Sequence, residues 1–326
     1  MATILLATGF SHTFGREIAS TLQASNLSDG NPSDGLSSSN TDGRLCHHDL
    51  QVLWGRRTYP LTLDKKYLLE SSTVSQRAHM RKDFDQFLQS GPCLEIGPKI
   101  APILPRDHFN TRYLDHASAE ELERKYGLTS GKVPKIHYVW KPGLAYTDLV
   151  NGTTFKLVVA SHVVEHVLDL VGFLRDVASV MEKFGEFRLA IPDKRYCFDF
   201  RRGISTFSDV VGAYLTGGAP SASSIFEELY LVPPKVNSAR RLWKGKEPIV
   251  QSYKNHLSAL FTTRRILKGE LEAAKLHRWQ FVPGTFVQYI EWLHAMGLIC
   301  FEVMDNSVVT TRRNSNEFLV FLRKVC

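Results

Sequence analysis

The sequence has no apolar run near the roughly 20 residues that a membrane-crossing helix needs, so no helical span is expected. Cysteine is scarce: five residues, at 46, 93, 197, 300 and 326, with no C-x-x-C pair. An odd, dispersed set argues against a disulfide framework or a Cys-based zinc site. Reduced and mostly buried thiols are the expectation. The opening "MATILLATGF" carries no positive leader, and its apolar stretch is short for a signal peptide. A cytoplasmic location is expected. There is no internal repeat. The two basic stretches, "KVNSARRLWKGK" and "RRILKGELEAAKLHR", have no interleaved aromatics of the kind that stack bases. They read as a solvated helix face or the rim of a substrate loop, so a nucleic-acid partner is not expected.

What is there is ordinary globular composition: 326 residues, 43% hydrophobic and 22% charged, with a net charge of +7 that favours anionic partners. The length suits one large domain or two modest ones. Residues 25–43, "SNLSDGNPSDGLSSSNTDG", hold too little apolar surface to offset chain entropy and read as a disordered linker. Residues 1–24 before it read as a strand-turn-helix appendage. That turn resembles the first cofactor turn of short-chain dehydrogenases, T-G-x-x-x-G-x-G, with Gly9 and Gly15 in place and Thr13 at the middle glycine. The rest of a dehydrogenase domain does not follow. Residues 44–91 form a helical lead-in, with "KKYLLESSTVSQRAHMRKDFDQFLQS" read as helix.

From residue 92 strands and helices alternate. "PCLEIGP", "TRYLDHAS", "KIHYVW", "FKLVVASH" and "EFRLAIPD" read as five strands. The fourth is apolar on both faces, as an internal parallel strand should be. Leu170, Phe173, Leu174, Val177, Val180 and Met181 recur at helical spacing between the fourth and fifth, with Gly185 expected to end that helix. "TFVQYIEWLHAMG" is an amphipathic helix, and "LICFEVMDN" and "NEFLVFLRKV" are an antiparallel pair. The pattern predicts an α/β fold: a doubly wound, seven-stranded, mostly parallel sheet with a C-terminal antiparallel hairpin. The domain runs over 92–326, with an insertion at 200–283 over the pocket.

The stretch "VVASHVVEHVLDL" sets His162, Glu165 and His166 in the order H-x-x-E-H, one form of zinc-peptidase signature. That motif needs a helix carrying both histidines and a third ligand further on. Here His162 directly follows a strand, and neither Asp169 nor Glu182 suits as the third ligand. No metal is expected. Ligands of open α/β sheets bind outside the carboxyl ends of the strands, and Gly97, Asp115, Trp140 and Ser161–His166 all fall there. The plainer role for His162 and His166 is to satisfy backbone groups of the loop.

"LEIGP…YLDHAS", "ASHVVEHVLDLVGFLRDVASVM" and "LAIPDKRYCFDFRRG" together resemble class I S-adenosylmethionine-dependent methyltransferases of the type 11-like group, over residues 92–203. The resemblance implies a Rossmann-like methyltransferase fold, S-adenosylmethionine as cofactor, and methyl transfer to a small-molecule or glycan acceptor. It places Glu95 and Gly97 at the methionine end of the cofactor, Asp115 on the ribose hydroxyls, and Ser161 and His162 facing the methyl group. His162 or His166 is the candidate base where the nucleophile must lose a proton.

Two features depart from that pattern. Pro98, Lys99 and Ala101 stand in the first loop, where E-x-G-x-G-x-G is common. The third strand ends in His137, Tyr138, Val139 and Trp140 rather than an acidic group, so Trp140 is assigned to stack on adenine. The eroded loop leaves a non-catalytic methyltransferase-fold binding protein as the alternative. Acceptor identity and oligomeric state are not readable from the sequence.

Overall fold

The computed structural model describes residues 63–69, 75–219, 221–232, 239–246, 256–271 and 276–326. The appendage expected at 1–24 and the linker at 25–43 lie outside them, as do Cys46 and Tyr253.

Helices α1 (Gln76–Met80) and α2 (Phe84–Ser90) precede strand β1 (Cys93–Ile96). The lead-in is therefore not one helix. Asp83 adopts φ +59°, a left-handed conformation that breaks the helical hydrogen-bond ladder between the two. Strand β2 (Thr111–Asp115), helix α3 (Ala119–Tyr126), strand β3 (Tyr138–Val139), helix α4 (Tyr146–Leu149) and strand β4 (Phe155–Ser161) follow. Helix α5 (Leu170–Ser179) and strand β5 (Met181–Pro192) complete the parallel part. Helices α6 (Phe207–Leu215), α7 (Ala222–Leu231), α8 (Ala239–Leu242) and α9 (His256–Leu267) occupy the expected insertion. Helix α10 (Pro283–Ala295) and strands β6 (Phe301–Val303) and β7 (Glu317–Lys324) close the fold. Pro283 suits its place at the start of α10, because the first helical N–H has no partner to lose.

The sheet has seven strands in the order β3-β2-β1-β4-β5-β7-β6. Strands β1 to β5 pair in parallel, and β7 runs antiparallel to both β5 and β6. The expected pair at the chain end is present, with β7 inserted between its neighbours. Leu94, Ile96, Val158, Ala160, Phe187 and Leu189 pack on one face with α5 and α10. Cys93, Leu157, Val159 and Ala190 pack on the other with Met80, Phe84 and Leu88 of α1 and α2. Both faces are covered, which explains the unbroken apolar run of β4.

Gly185 does not end a helix. It lies within β5, where an added Cβ would meet the Lys156 carbonyl oxygen at 2.9 Å and that of Glu182 at 3.0 Å. The close approach sits at the register shift between Phe155 and Leu157 in the interior β4–β5 ladder, as a bulge requires. The thiol expectation also needs correction. Cys300 and Cys326 form a disulfide with Cα atoms 5.3 Å apart, while Cys93 and Cys197 are free and buried. Such a bond persists in oxidising surroundings, which does not fit the expected reduced set. Among the described residues no helix is long and apolar enough to cross a membrane.

Candidate functional site

The chain winds from β1 outward through β2 to β3, then returns to place β4 and β5 on the other side of β1. The direction reverses between β1 and β4, and the crevice outside their carboxyl ends is the natural ligand site.

At the end of β1, Gly97 has φ +69°, and an added Cβ would lie 2.8 Å from Cγ2 of Val163, in the loop after β4. Glycine is needed here for backbone and for space. Glu95 is not free for a ligand. Its oxygens accept from the backbone N–H groups of Ile103 (2.9 and 3.0 Å) and Leu104 (2.8 Å). Burial pushes its carboxyl up to about 7, against the pull of those donors and of Arg77 and Arg81. Glu95 fastens the loop that follows β1 and does not face the crevice as a bare acceptor.

Asp115 closes β2. Its Oδ1 accepts from the His116 backbone N–H (2.7 Å) and stands 2.6 Å from His116 Nδ1. Both contacts fall on one oxygen, which leaves Oδ2 to accept from a ligand. Asp115 does not cap α3. Ser118 does, accepting from the Glu121 N–H at 3.2 Å while Glu121 accepts from the Ser118 N–H. Trp140 follows β3 and donates its indole N–H to Leu144 O at 2.9 Å.

Ser161 ends β4, and His162 after it takes the left-handed φ +55°. Few non-glycine residues hold that conformation without support. The support is ionic: Nε2 lies 2.8 Å from Glu317 Oε2, and Nδ1 lies 3.5 Å from Glu165 Oε1. Burial works against a charged ring, but these two carboxylates outweigh it and raise the His162 pKa to about 10. These contacts favour the charged ring, a form with no lone pair to accept a proton.

His166 is the opposite case. Its Nδ1 lies 3.0 Å from Leu276 O, and burial holds its pKa below the usual imidazole value. A carbonyl only accepts, so the neutral ring carries its proton on Nδ1 and a lone pair on Nε2. Glu165 is buried, and His277 stacks edge-on against His166 with ring centroids 4.7 Å apart. His277 Nδ1 meets Asp199 Oδ2 at 2.5 Å. Asp199 is held below the usual carboxylate range because His277 and Arg202 outweigh its burial. Arg202, fully buried, also reaches Glu228 at 3.3 Å and the His277 carbonyl at 2.7 Å. These groups lash the insertion to the sheet edge.

The structure therefore sets Gly97, Asp115, Trp140, Ser161, His162 and His166 at one edge of the sheet, and removes Glu95 from the free acceptors. Sequence reasoning passed over Asp199, His277 and Glu317. The expectation of no metal rested on the strand-turn setting of His162 and on the missing third ligand; Glu165, His166 and His277 come together with ligand atoms within 4.8 Å of one another.

The seven-strand order with its reversed β7 decides the architecture. This is a doubly wound, Rossmann-like fold. No protein-family model matches the chain, and no curated protein matches it. Similar solved structures include an S-adenosylmethionine-dependent methyltransferase from Clostridium acetobutylicum ATCC 824, at 10% identity and TM-score 0.38, covering 78% of this chain and 94% of that one. The CcbJ methyltransferase from Streptomyces caelestis is 9% identical at TM-score 0.36, covering 78% of this chain and 100% of its own. The mitomycin 7-O-methyltransferase MmcR is 13% identical at TM-score 0.35, covering 76% of this chain and 52% of that one. The strand order, and not the extent of these overlaps, defines the fold.

Proposed function

We propose that the protein binds S-adenosylmethionine and transfers its methyl group to a small-molecule acceptor, with a glycan hydroxyl, carboxyl or amine within that class. The observation that carries the reading is the convergence of Gly97, Asp115 and Ser161–His166 on the switch point between β1 and β4. The cradle fits the cofactor. Gly97 lets a ligand approach the backbone closely, and Asp115 Oδ2 can accept from ribose hydroxyls through charge-assisted bonds. Trp140, whose indole is anchored by Leu144 O, supplies a ring for adenine.

The sulfonium supplies an already activated methyl group. What remains for the protein is in-line positioning of the nucleophile. The His162 cation suits an anionic or oxygen-bearing acceptor. His166, neutral at Nε2, can accept a proton or a cation. The insertion supplies acceptor walls: Trp243 stacks on Tyr196 at 4.0 Å between centroids and donates to Ser315 O at 2.8 Å, and Tyr230 lies 3.3 Å from His256. Arg240 and Arg241 add positive charge for an acidic acceptor.

Calorimetric titration with S-adenosylmethionine and its demethylated product tests the reading. Micromolar binding of both, lost with Asp115→Ala, supports it. The second reading, a methyltransferase-fold protein that binds a partner without transferring a methyl group, is favoured by Glu95 being taken up in the loop after β1. Absence of binding by either compound would select it.

A further inference from the structure

Glu165 is 1% exposed, and no hydrogen bond reaches either of its carboxylate oxygens. A buried carboxylate is costly unless something positive meets it. Around Oε1 stand the His162 ring, with Nδ1 at 3.5 Å, His166 Nε2 at 3.8 Å and His277 Nε2 at 3.9 Å. The His166 and His277 rings are each pinned through the other nitrogen, to Leu276 O at 3.0 Å and to Asp199 Oδ2 at 2.5 Å. Acceptors at Nδ1 draw the ring proton there and turn the Nε2 lone pairs toward Glu165. A carboxylate or carbonyl on the far nitrogen is the usual support behind a metal-binding histidine. Three electron-pair donors thus point into one space, with their ligand atoms within 4.8 Å of one another. His162 bears on Oε1 from one side only, and a cation among the three donors would engage all of them at once.

We propose that Glu165, His166 and His277 bind one divalent transition-metal ion of the zinc class. Two imidazoles and one carboxylate match zinc, cobalt, iron or manganese better than magnesium or calcium, which favour all-oxygen sites. A tetrahedral ion with bonds of about 2.0–2.1 Å keeps its ligands about 3.3 Å apart, so binding draws these atoms inward by about half an ångström. His162 keeps Glu317 as its charge partner at 2.8 Å when Oε1 turns to the ion. The site stays open on one side. The His166 side chain is 33% exposed, and a cavity of about 20 Å³ lies beside His166, Ser224, Glu228 and His277, with room for about one water. An open position at the carboxyl edge of β4 leaves room for an oxygen ligand such as water. The inference does not rest on methyl transfer.

The test uses the full chain, stripped with a chelator and titrated with cobalt(II) and zinc(II). One equivalent is expected, with visible cobalt bands of a low-coordinate site. Glu165→Gln, which keeps the side-chain shape, and His166→Ala, at a half-exposed position, should each weaken binding at least 100-fold. Asp199→Asn should weaken it about 10- to 100-fold, the range for a lost supporting group. His294→Ala, an imidazole paired with Glu302, should leave it unchanged. Far-ultraviolet circular dichroism checks that each variant is folded. No cobalt bands at millimolar ion, or bands that survive both Glu165→Gln and His166→Ala, would overturn the proposal and leave a proton on His277 as the balancing charge. Cofactor calorimetry reads the methyltransferase question separately.

Discussion

Asp199 and His277 stand near the two ends of the segment between β5 and α10, and they meet through a 2.5 Å contact from Nδ1 to Oδ2. Arg202 joins the same carboxylate at 3.0 Å. The insertion is therefore closed at its base by a buried ionic cluster, not by apolar packing alone. Arg202 also reaches Glu228 on α7 at 3.3 Å, so the cluster ties that helix to the segment after β5.

The cluster makes Asp199 a sensitive position. Asp199→Ala leaves Arg202 and His277 buried without their shared acceptor. Removing one partner of a buried pair costs about 3–5 kcal/mol, and urea denaturation should show a loss of that size. Asp199→Asn, which keeps an acceptor oxygen, should cost less. A loss below about 1 kcal/mol for the alanine variant would mean that the cluster does not hold the insertion.

Glu95 gives a pH signature. Its folded pKa, about 7, lies above the ordinary carboxylate value of 4.5. The neutral form is thus favoured by the fold, and the contribution is fully present below about pH 4.5. It is lost as pH rises through about 7. Stability of the wild type should carry a declining component across that window, and Glu95→Gln should abolish it. Melting curves of the two proteins from pH 4 to 8 compare the slopes.

The strands were legible where the chain carries its own marks. The doubly apolar run of β4 and the turn at Gly97 are local features, and they marked the central strands of the sheet. Gly185 was misread because its reason is a carbonyl of Lys156 on the neighbouring strand, which no local pattern displays. Glu95 was misassigned because its partners are backbone N–H groups of Ile103 and Leu104, and backbone leaves no mark in a sequence. His277 went unseen because its partners, Asp199 and Glu165, come from distant segments. The charge state of His162 likewise depends on Glu317, on the last strand. Residue type and local spacing suffice for elements; the site's electrostatics arise from pairs that only the fold creates.

The Cys300–Cys326 disulfide closes a loop of sequence separation 26 that contains β6 and β7. Cross-links of this span contribute about 2–4 kcal/mol by restricting the unfolded chain. Reduction, or Cys326→Ser, should lower stability by that amount without changing cofactor affinity. Mass spectrometry of alkylated protein before and after reduction should show two thiols released. Equal melting temperatures in the two states would show that the bond adds nothing.

Gly97 and Val163 form a second testable pair. Gly97→Ala meets Cγ2 of Val163 at 2.8 Å and is strained at φ +69°. The strain alone costs about 1–2 kcal/mol. Shortening the facing side chain with Val163→Ala relieves only the contact. Gly97→Ala should therefore be destabilised and weakened in cofactor binding, and the double variant should recover part of the affinity. No recovery in a double-mutant cycle would mean that the backbone conformation, not the contact, sets the requirement.

Asp115 and Ser118 separate binding from folding within four residues. Asp115 is 7% exposed, with Oδ1 taken by His116 and Oδ2 left for a ligand. Hydrogen bonds to a charged group are worth about 1.5–3 kcal/mol each. Two ribose hydroxyls sharing one carboxylate are not additive, so Asp115→Ala should weaken S-adenosylmethionine binding by roughly 10- to 100-fold, at about 1.4 kcal/mol per decade. Asp115→Asn should do less harm, since one acceptor oxygen survives. The helix cap is held elsewhere: Ser118 accepts from the Glu121 N–H at 3.2 Å. Ser118→Ala should lower stability by about 1 kcal/mol, the usual size of a lost cap, and leave affinity unaltered. Calorimetry and thermal melting on both variants give four numbers with opposite expected patterns. Should Asp115→Ala melt lower and bind as tightly as the wild type, Asp115 would be a structural residue, and the weight would shift to the partner-binding reading.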